Sequence, residues 1–504
     1  MMINVGIYLN DDKNVNSWEA NVINELSNEE NVNVIIINNE LELENSSSEN
    51  KFSLLHFQLK LERSIIKNKP INFIDKIETV FLKNADFDYI INFNKNVFRD
   101  ILIKKTKVGV FEVFKDNDLI NRLSLLCVNE IVNKSESINL KLKFYNEKNS
   151  GGSFIEDLHY TYEWKGLKNI ESLSLRVSVF LIKNINKSVI NCFTLNKDNY
   201  LYNKASLSSQ LQYIFNFYFQ SVKSIYLTFL YKFFNQKKDN WTLAFGEGLN
   251  KNLDFKSVQT LNLPKDEFWA DPFLFKYKEE YYVFFEKYIN KIGRGIISCG
   301  KLINGEVINV EDVLITDYHM SYPNIFEEDG EIYMIPEISE KKRLEIYRCV
   351  EFPNEWELYS YAFEGEYVVD TIYYKDKNNK KWLFLSKTVH ESNDNCSELY
   401  IYSIDSLKLN EVIGHKQNPI FADCRNSRNG GAIFELGNDL IRPSQNNSYG
   451  VYGFNINFNK IKTLNINEYK EEKIMSLSNS FKKYKRVHHY NAVDELFVFD
   501  CYLK

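Results

Sequence analysis

The side chains best suited to chemistry are acidic residues that recur at matching places along the second half of this chain. Asp271 stands 15 residues before Glu286, and Tyr322 stands 15 residues before Glu337, in segments that read alike: ADPFLF then YYVFFE, and SYPNIF then IYMIPE. A third copy carries Asp370, then Trp382–Leu385. A fourth carries Gly430-Gly431, then Arg442 and Gln445, and a fifth carries His488-His489, then Asp500. Glycosidic chemistry needs two carboxylates facing each other across a bond, about 5–5.5 Å apart for retention or about 6.5–9.5 Å for inversion. Asp271, Asp370 and Glu337 are the candidate catalytic set, with Asp271 or Asp370 as base. Trp269, Glu286, His319, Tyr322, Arg425, Arg428, Arg442, Gln445 and His489 are the candidate substrate-binding set. Carboxylates and guanidiniums bind hydroxyls and phosphate bidentately, and aromatic rings stack on sugars. Arg425 and Arg428 suit a phosphate or an acidic sugar.

Each of these residues also has a structural reading. Asp271 before Pro272 suits a strand turn. Glu286 and Glu337 follow apolar strands, where solvated edge carboxylates are common, and Arg425 and Arg428 suit structural ion pairs. Neighbouring residues on a strand point to opposite faces, so His488-His489 is not expected to hold a metal, and no cofactor is specified.

The elements that position these residues are hairpins. Each copy reads as an inner strand, a polar turn (Lys278-Glu279-Glu280, Glu328-Asp329-Gly330, Lys377-Asn378-Asn379, Gly437-Asn438-Asp439) and a return strand. Hairpins recurring about every 50 residues mark propeller blades, so 240–504 is expected to form an all-β five-bladed β-propeller. Trp241–Phe245 is expected to pair with the last blade and close the ring. Strand ends from every blade then converge on the axis, a suitable place for a sugar.

The first 200 residues read differently. Val5–Leu9 and Val32–Ile37 are short β-branched runs, and Trp18, Val22, Ile23 and Leu26 recur between them at helical spacing. With Tyr89–Phe93, a short helix near Val97–Ile103 and Val108–Phe111, this is the βαβ pattern of a Rossmann-like α/β domain. Ser150-Gly151-Gly152 reads as a turn without phosphate-loop context. Residues 201–239 form a connecting segment in which 207–234 is a long aromatic-rich helix. Asn216, Gln220 and Lys223 interrupt it too often for a membrane span. Two placements stay open: packing between the domains, or lying on a membrane surface.

Composition limits the partners. The chain has 504 residues, too many for one ordinary domain, and carries 62 basic against 68 acidic residues, so nucleic acid is not the expected partner. Seven scattered cysteines without CxxC spacing argue against disulfide or zinc scaffolds, and with no signal peptide visible the expected setting is a reducing cytoplasm, at most peripheral to the inner membrane face.

FWADPFLF (268–275), YYVFFE (281–286), HMSYPNIFEEDGEIYMIPE (319–337), VVDTIYY (368–374), RNSRNGG (425–431) and RPSQN (442–446) together resemble the five-bladed propeller of plant glucosamine inositolphosphorylceramide transferase and related bacterial proteins. The blade layout is more distantly similar to invertase- and arabinanase-type glycosidases. Those carry an acid trio on consecutive blades, whereas this chain has Tyr322 on blade two and an Asp, not a Glu, on blade three. VGIYL (5–9), the Trp18-led helix, DYIINF (88–93) and KVGVF (107–111) resemble a formyltransferase domain. That family's Asn-x-His pair and Asp lie around the last of these strands, but no histidine follows here, which implies that formyl transfer is lost. The resemblances imply a role in bacterial surface glycan or glycolipid biosynthesis, most simply glycosyl transfer or sugar modification. The partner is then a sugar or glycan, nucleotide-linked or lipid-linked. A non-catalytic glycan-binding scaffold and a five-bladed glycosidase are the alternatives.

Overall fold

A computed structural model describes residues 2–9, 15–38, 55, 58, 77, 79–82, 86–95, 97–115, 118–120, 124–187, 205–234, 240–248, 258–264, 266–388, 398–477 and 484–503. Cys192, Cys396 and His56 lie outside the described residues. The chain divides into two units, Met1–Lys223 and Ser224–Lys504.

In the first unit, β1 (Ile3–Tyr8), β2 (Val32–Asn38), β3 (Thr79–Phe81), β4 (Phe87–Asn92) and β5 (Thr106–Lys115) are parallel in the order β3-β2-β1-β4-β5. Helix α1 (Ser17–Ser27) joins β1 to β2. It starts on a capping box, in which the Asn16 side chain accepts backbone N–H groups and Glu19 reaches back to Asn16. Its Trp18 is buried edge-on to Phe93. The sequence pattern thus yields β1, β2, β4 and β5, while β3, three residues long, gave no pattern to read. A short strand β6 (Asp118–Leu119) and the longer β7 (Ile138–Asn146) pair antiparallel with β5, and β8 (Asn149–Tyr160) extends from β7, making the sheet mixed. Gly151-Gly152, expected in a turn, lies inside β8. Gly152 adopts φ +71, and the Tyr145 ring occupies the space a Cβ would fill, so both the backbone and the packing require glycine. Helices α2 (Arg99–Ile103), α3 (Val128–Asn133) and α4 (Gly166–Ile185) complete the layer, and α4 packs on α1 through Asn21 and Ser174.

Helix α5 (Leu207–Phe234) has the bounds expected from the sequence. Its first turns pack on the first unit: Tyr213 and Phe217 are buried, and the Tyr213 hydroxyl accepts the Gly166 N–H at 3.0 Å.

The second unit is the five-bladed propeller. Four blades are four-stranded antiparallel sheets whose inner strands are Glu267–Tyr277, Ser321–Glu328, Tyr367–Lys375 and Phe434–Leu436. The fifth is composite. Tyr490–Val493 and Leu496–Leu503 come from the end of the chain, and Leu496–Leu503 pairs with Trp241–Glu247, which closes the ring as expected. Asn side chains staple adjacent blades: Asn491 accepts the Leu274 N–H and Asn324 accepts the Tyr373 N–H, both at 2.9 Å. The two bonds join equivalent positions, three residues beyond Asp271 and Asp370.

Candidate active site

One backbone device builds the site. In blades one, two and three the inner strand breaks register between Ala270 and Phe273, Ser321 and Asn324, and Val369 and Ile372. Each break is a β-bulge, which re-aims a side chain. The re-aimed residues are Asp271, Tyr322 and Asp370, with φ of +49, +49 and +46. Left-handed backbone costs a non-glycine residue about 1–2 kcal/mol, so three such residues at equivalent positions mark stored strain at one place. In blade four, Gly431 approaches so closely that a Cβ would collide with the Tyr490 carbonyl.

Blade one meets blade five at Asp271. His488 stands between two carboxylates, its Nε2 at 3.2 Å from Asp271 Oδ1 and its Nδ1 at 2.9 Å from Asp500 Oδ2. Asp500 in turn accepts the backbone N–H groups of His488, His489 and Asp271. Burial opposes a charge on His488, but Asp500 and Asp271 overcome it and raise its pKa to about 10. Burial lowers the neighbouring His489 to about 3, so it stays neutral, packed edge-on against Phe273 and Tyr322.

On the far side, Asp370 is gripped by Arg428, whose Nε and Nη2 both donate to it, and by Gln445 Nε2 at 2.9 Å. Asn429 donates to the Asp370 carbonyl at 2.8 Å. The Tyr322 hydroxyl accepts the Gly431 N–H at 2.9 Å and ties blade two to blade four. Burial, then the nearby Asp370 carboxylate, push its pKa up.

Glu286 and Glu337 are the return-strand partners of Ala270 and Ser321. Neither is a solvated edge residue. Burial first, then Asp271, raise Glu286 well above the carboxylate range, and burial followed by Asp370 does the same to Glu337, against the pull of Arg428 at 3.6 Å. His319 accepts the Gly295 N–H through Nδ1, which leaves its Nε2 protonated and facing Glu286 at 3.6 Å. The site therefore holds carboxylates of two kinds, some paired with cations and others pushed towards holding a proton.

The structure brings together Asp271, Glu286, His319, Tyr322, Glu337, Asp370, Arg428, Gln445 and His489. It puts three other candidates among protein partners. Trp269 stacks on Phe285 at 4.3 Å in the apolar core between blade one and the closing sheet. Alternation along the strand explains this, since Ala270 and Trp269 must face opposite ways. Arg425 is held by both oxygens of Asp423, and the fully buried Arg442 by both oxygens of Glu471.

Tyr452, absent from the candidate set, belongs to the site. Arg428 lies over its ring at 5.4 Å, the ring packs against His488, and the Asp271, Asp370 and Glu337 carboxylates add to the burial that raises its pKa. It sits in an irregular stretch between strands, so no strand repeat flags it. His488 and Asp500 are the remaining members. They close a buried group of Asp271, His488 and Asp500 whose ligand atoms lie within 4.8 Å of one another, with the His488 ring between the two carboxylates.

The family described as glucosamine inositolphosphorylceramide transferase 1, N-terminal, matches residues 230–496, more than half the chain. Glucosamine inositolphosphorylceramide transferase 1 of Oryza sativa subsp. japonica is 33% identical over 208 residues, 40% of this chain and 27% of that protein. Its Arabidopsis thaliana namesake is 31% identical over 246 residues, 47% of this chain and 32% of that protein. The match thus spans about a third or less of these relatives. A solved GH43 β-xylosidase/α-arabinofuranosidase from a compost microbial metagenome aligns with 46% of this chain and 84% of its own, at 14% identity and a TM-score of 0.34.

Proposed function

Because this chain belongs to the glucosamine inositolphosphorylceramide transferase 1 N-terminal family, we propose that its propeller axis binds a sugar and acts in glycosyl transfer to a glycan or glycolipid acceptor. The observation that carries the reading is the division of the axial carboxylates into cation-paired and proton-holding members. Asp271 is the base that takes the acceptor hydroxyl proton. All its close side-chain contacts among the described residues are to the two histidines through Oδ1, whereas both oxygens of Asp370 are engaged by Arg428 and Gln445. Arg428 faces the phosphate of the departing group, and Glu337 returns a proton to it. The acceptor oxygen then bonds the sugar carbon as the bond to the leaving oxygen breaks.

The test is Asp271→Asn, assayed by mass spectrometry for glycosylated lipid from nucleotide-sugar donors. Product should fall by about a hundredfold or more while thermal unfolding stays cooperative. Unchanged turnover would sink the assignment.

One observation favours a second reading, a glycan-binding scaffold without turnover: blade two presents Tyr322, not an acid, and the blade-three acid is fully engaged. Calorimetric glycan binding without any product would support it. For the first unit we propose a Rossmann-like relative of formyltransferases that has lost formyl transfer, on the ground that no histidine follows β5 before Lys141. A formylated product from the purified protein would defeat that.

A further inference from the structure

Helix α5 carries an unusual surface. At 3.6 residues per turn, Leu211, Phe215, Phe219, Val222, Ile225 and Phe233 fall within one arc of about 120°, and each is more than half exposed. The stripe runs the length of the helix, on the side opposite the buried Tyr213 and Phe217. A continuous apolar face of this size marks an interaction surface. No helix among the described residues is long and apolar enough to cross a membrane.

Charge decides the occupant. Between Ala205 and Lys238 there is no Asp or Glu, and there are four lysines, Lys223, Lys232, Lys237 and Lys238, in a chain whose net charge is −6. A symmetric pairing of two copies through this face would bring the helix lysines together with no acidic partner on the helix. An anionic lipid surface supplies the missing negative charge and takes up the aromatic stripe at the same time. Tyr218 and Tyr226, exposed within the same arc, suit the headgroup level, where an amphipathic ring has one apolar and one wet edge.

We propose that 207–234 is a monotopic helix that lies in the surface of an anionic bilayer and holds the protein there. The proposal does not depend on the axial chemistry. The experiment is co-sedimentation of the full chain with phosphatidylcholine vesicles, with and without phosphatidylglycerol. The protein should sediment with the anionic vesicles and be partly released by high salt. Phe215→Ser combined with Phe219→Ser and Ile225→Ser should weaken that partition by about tenfold or more. Lys223→Glu with Lys232→Glu, which keeps every residue of the apolar stripe, should abolish the preference for anionic over neutral vesicles. Asp271→Asn should bind vesicles like the unaltered chain, which separates this proposal from the catalytic one. Failure of the unaltered chain to sediment with either vesicle would overturn it. So would light scattering that shows a dimer which the triple substitution splits.

Discussion

Asp271 on blade one and Asp370 on blade three share a bulge, a left-handed backbone and near-complete burial, yet they are compensated in opposite ways. Asp271 faces His488, a cation that can lose its charge, with Asp500 behind it. Asp370 faces Arg428, a cation that cannot, and Gln445 engages it further. The repeated backbone delivers equivalent carboxylates to the axis, and partners from other blades then make them unequal. One side of the ring is adjustable and the other is fixed. A polar site with both properties can move a proton on one side while it holds an anion on the other.

Neutralising each carboxylate in turn should expose the inequality between the two sides most directly. Asp271→Asn should lower turnover by about a hundredfold or more, since a positioned base contributes about 10²–10⁴, with little loss of binding. Asp370→Asn should act mainly on substrate affinity, because its partner Arg428 is released from its grip rather than deprived of a proton acceptor. Steady-state kinetics on the two variants would show a kcat effect for one and a KM effect for the other. Equal profiles would erase the proposed asymmetry.

Next in size is removal of the fixed cation. Arg428 is 11% exposed at its side chain and faces Asp370 and Glu337. Arg428→Met strands Asp370 as a buried charge, and breaking a buried pair from one side costs about 3–5 kcal/mol. Denaturant unfolding should show a loss of that order. A loss below about 1 kcal/mol would mean that water screens the pair.

Much of this was legible in the sequence, because each blade repeats one local pattern. Apolar strands, polar hairpin tips and an aligned Asp or Tyr fixed the blade count, the closing strand and most of the axial residues. Lys278, Glu279, Asp329, Asn379 and Asp494 take positive φ at those tips, which is why so few glycines suffice. Trp269 misled because a single position along a strand decides which way a side chain faces, and a bulge two residues on resets the alternation. Arg425 and Arg442 misled for another reason. Their partners Asp423 and Glu471 are nearby strand and loop acids, and sequence spacing does not distinguish an arginine waiting for phosphate from one already paired. Tyr452 was invisible because it follows no repeat. In the first unit four of the parallel strands were legible from β-branched runs, whereas the three-residue β3 was too short to register, β7 alternates polar or charged with apolar residues, and β8 opens on Asn-Ser-Gly-Gly-Ser.

The adjustable side predicts a pH signature. Free histidine titrates near 6.5 and His488 at about 10. A raised pKa means the folded state holds the proton more tightly, so its stabilisation is complete below about pH 6.5 and fades as pH rises towards about 10. Thermal midpoints measured from pH 6 to 10 should fall across that window by several degrees, and His488→Gln should flatten the slope. Asp271→Asn removes one of the two carboxylates that raise the pKa, so it should narrow the window. Asp370 is not among the leading causes of the His488 shift, so Asp370→Asn should leave the slope nearly as it was. A slope lost in both Asn variants would show that the two sides titrate as one.

The smallest effect concerns the residue between the two sides. Tyr322 holds on blade two the bulge position that Asp271 and Asp370 hold on blades one and three, and its hydroxyl accepts the Gly431 N–H at 2.9 Å. If that bond is its role, Tyr322→Phe leaves one buried N–H without an acceptor, a cost of about 1–2 kcal/mol. In a unit of the propeller's size that lowers the thermal midpoint by roughly 2–4 °C. Turnover below the midpoint should then stay within about threefold, because the ring still packs on Phe273 and His489 and both carboxylates keep their partners. A loss of turnover as deep as that of Asp271→Asn, at an unchanged midpoint, would instead make the hydroxyl a chemical participant.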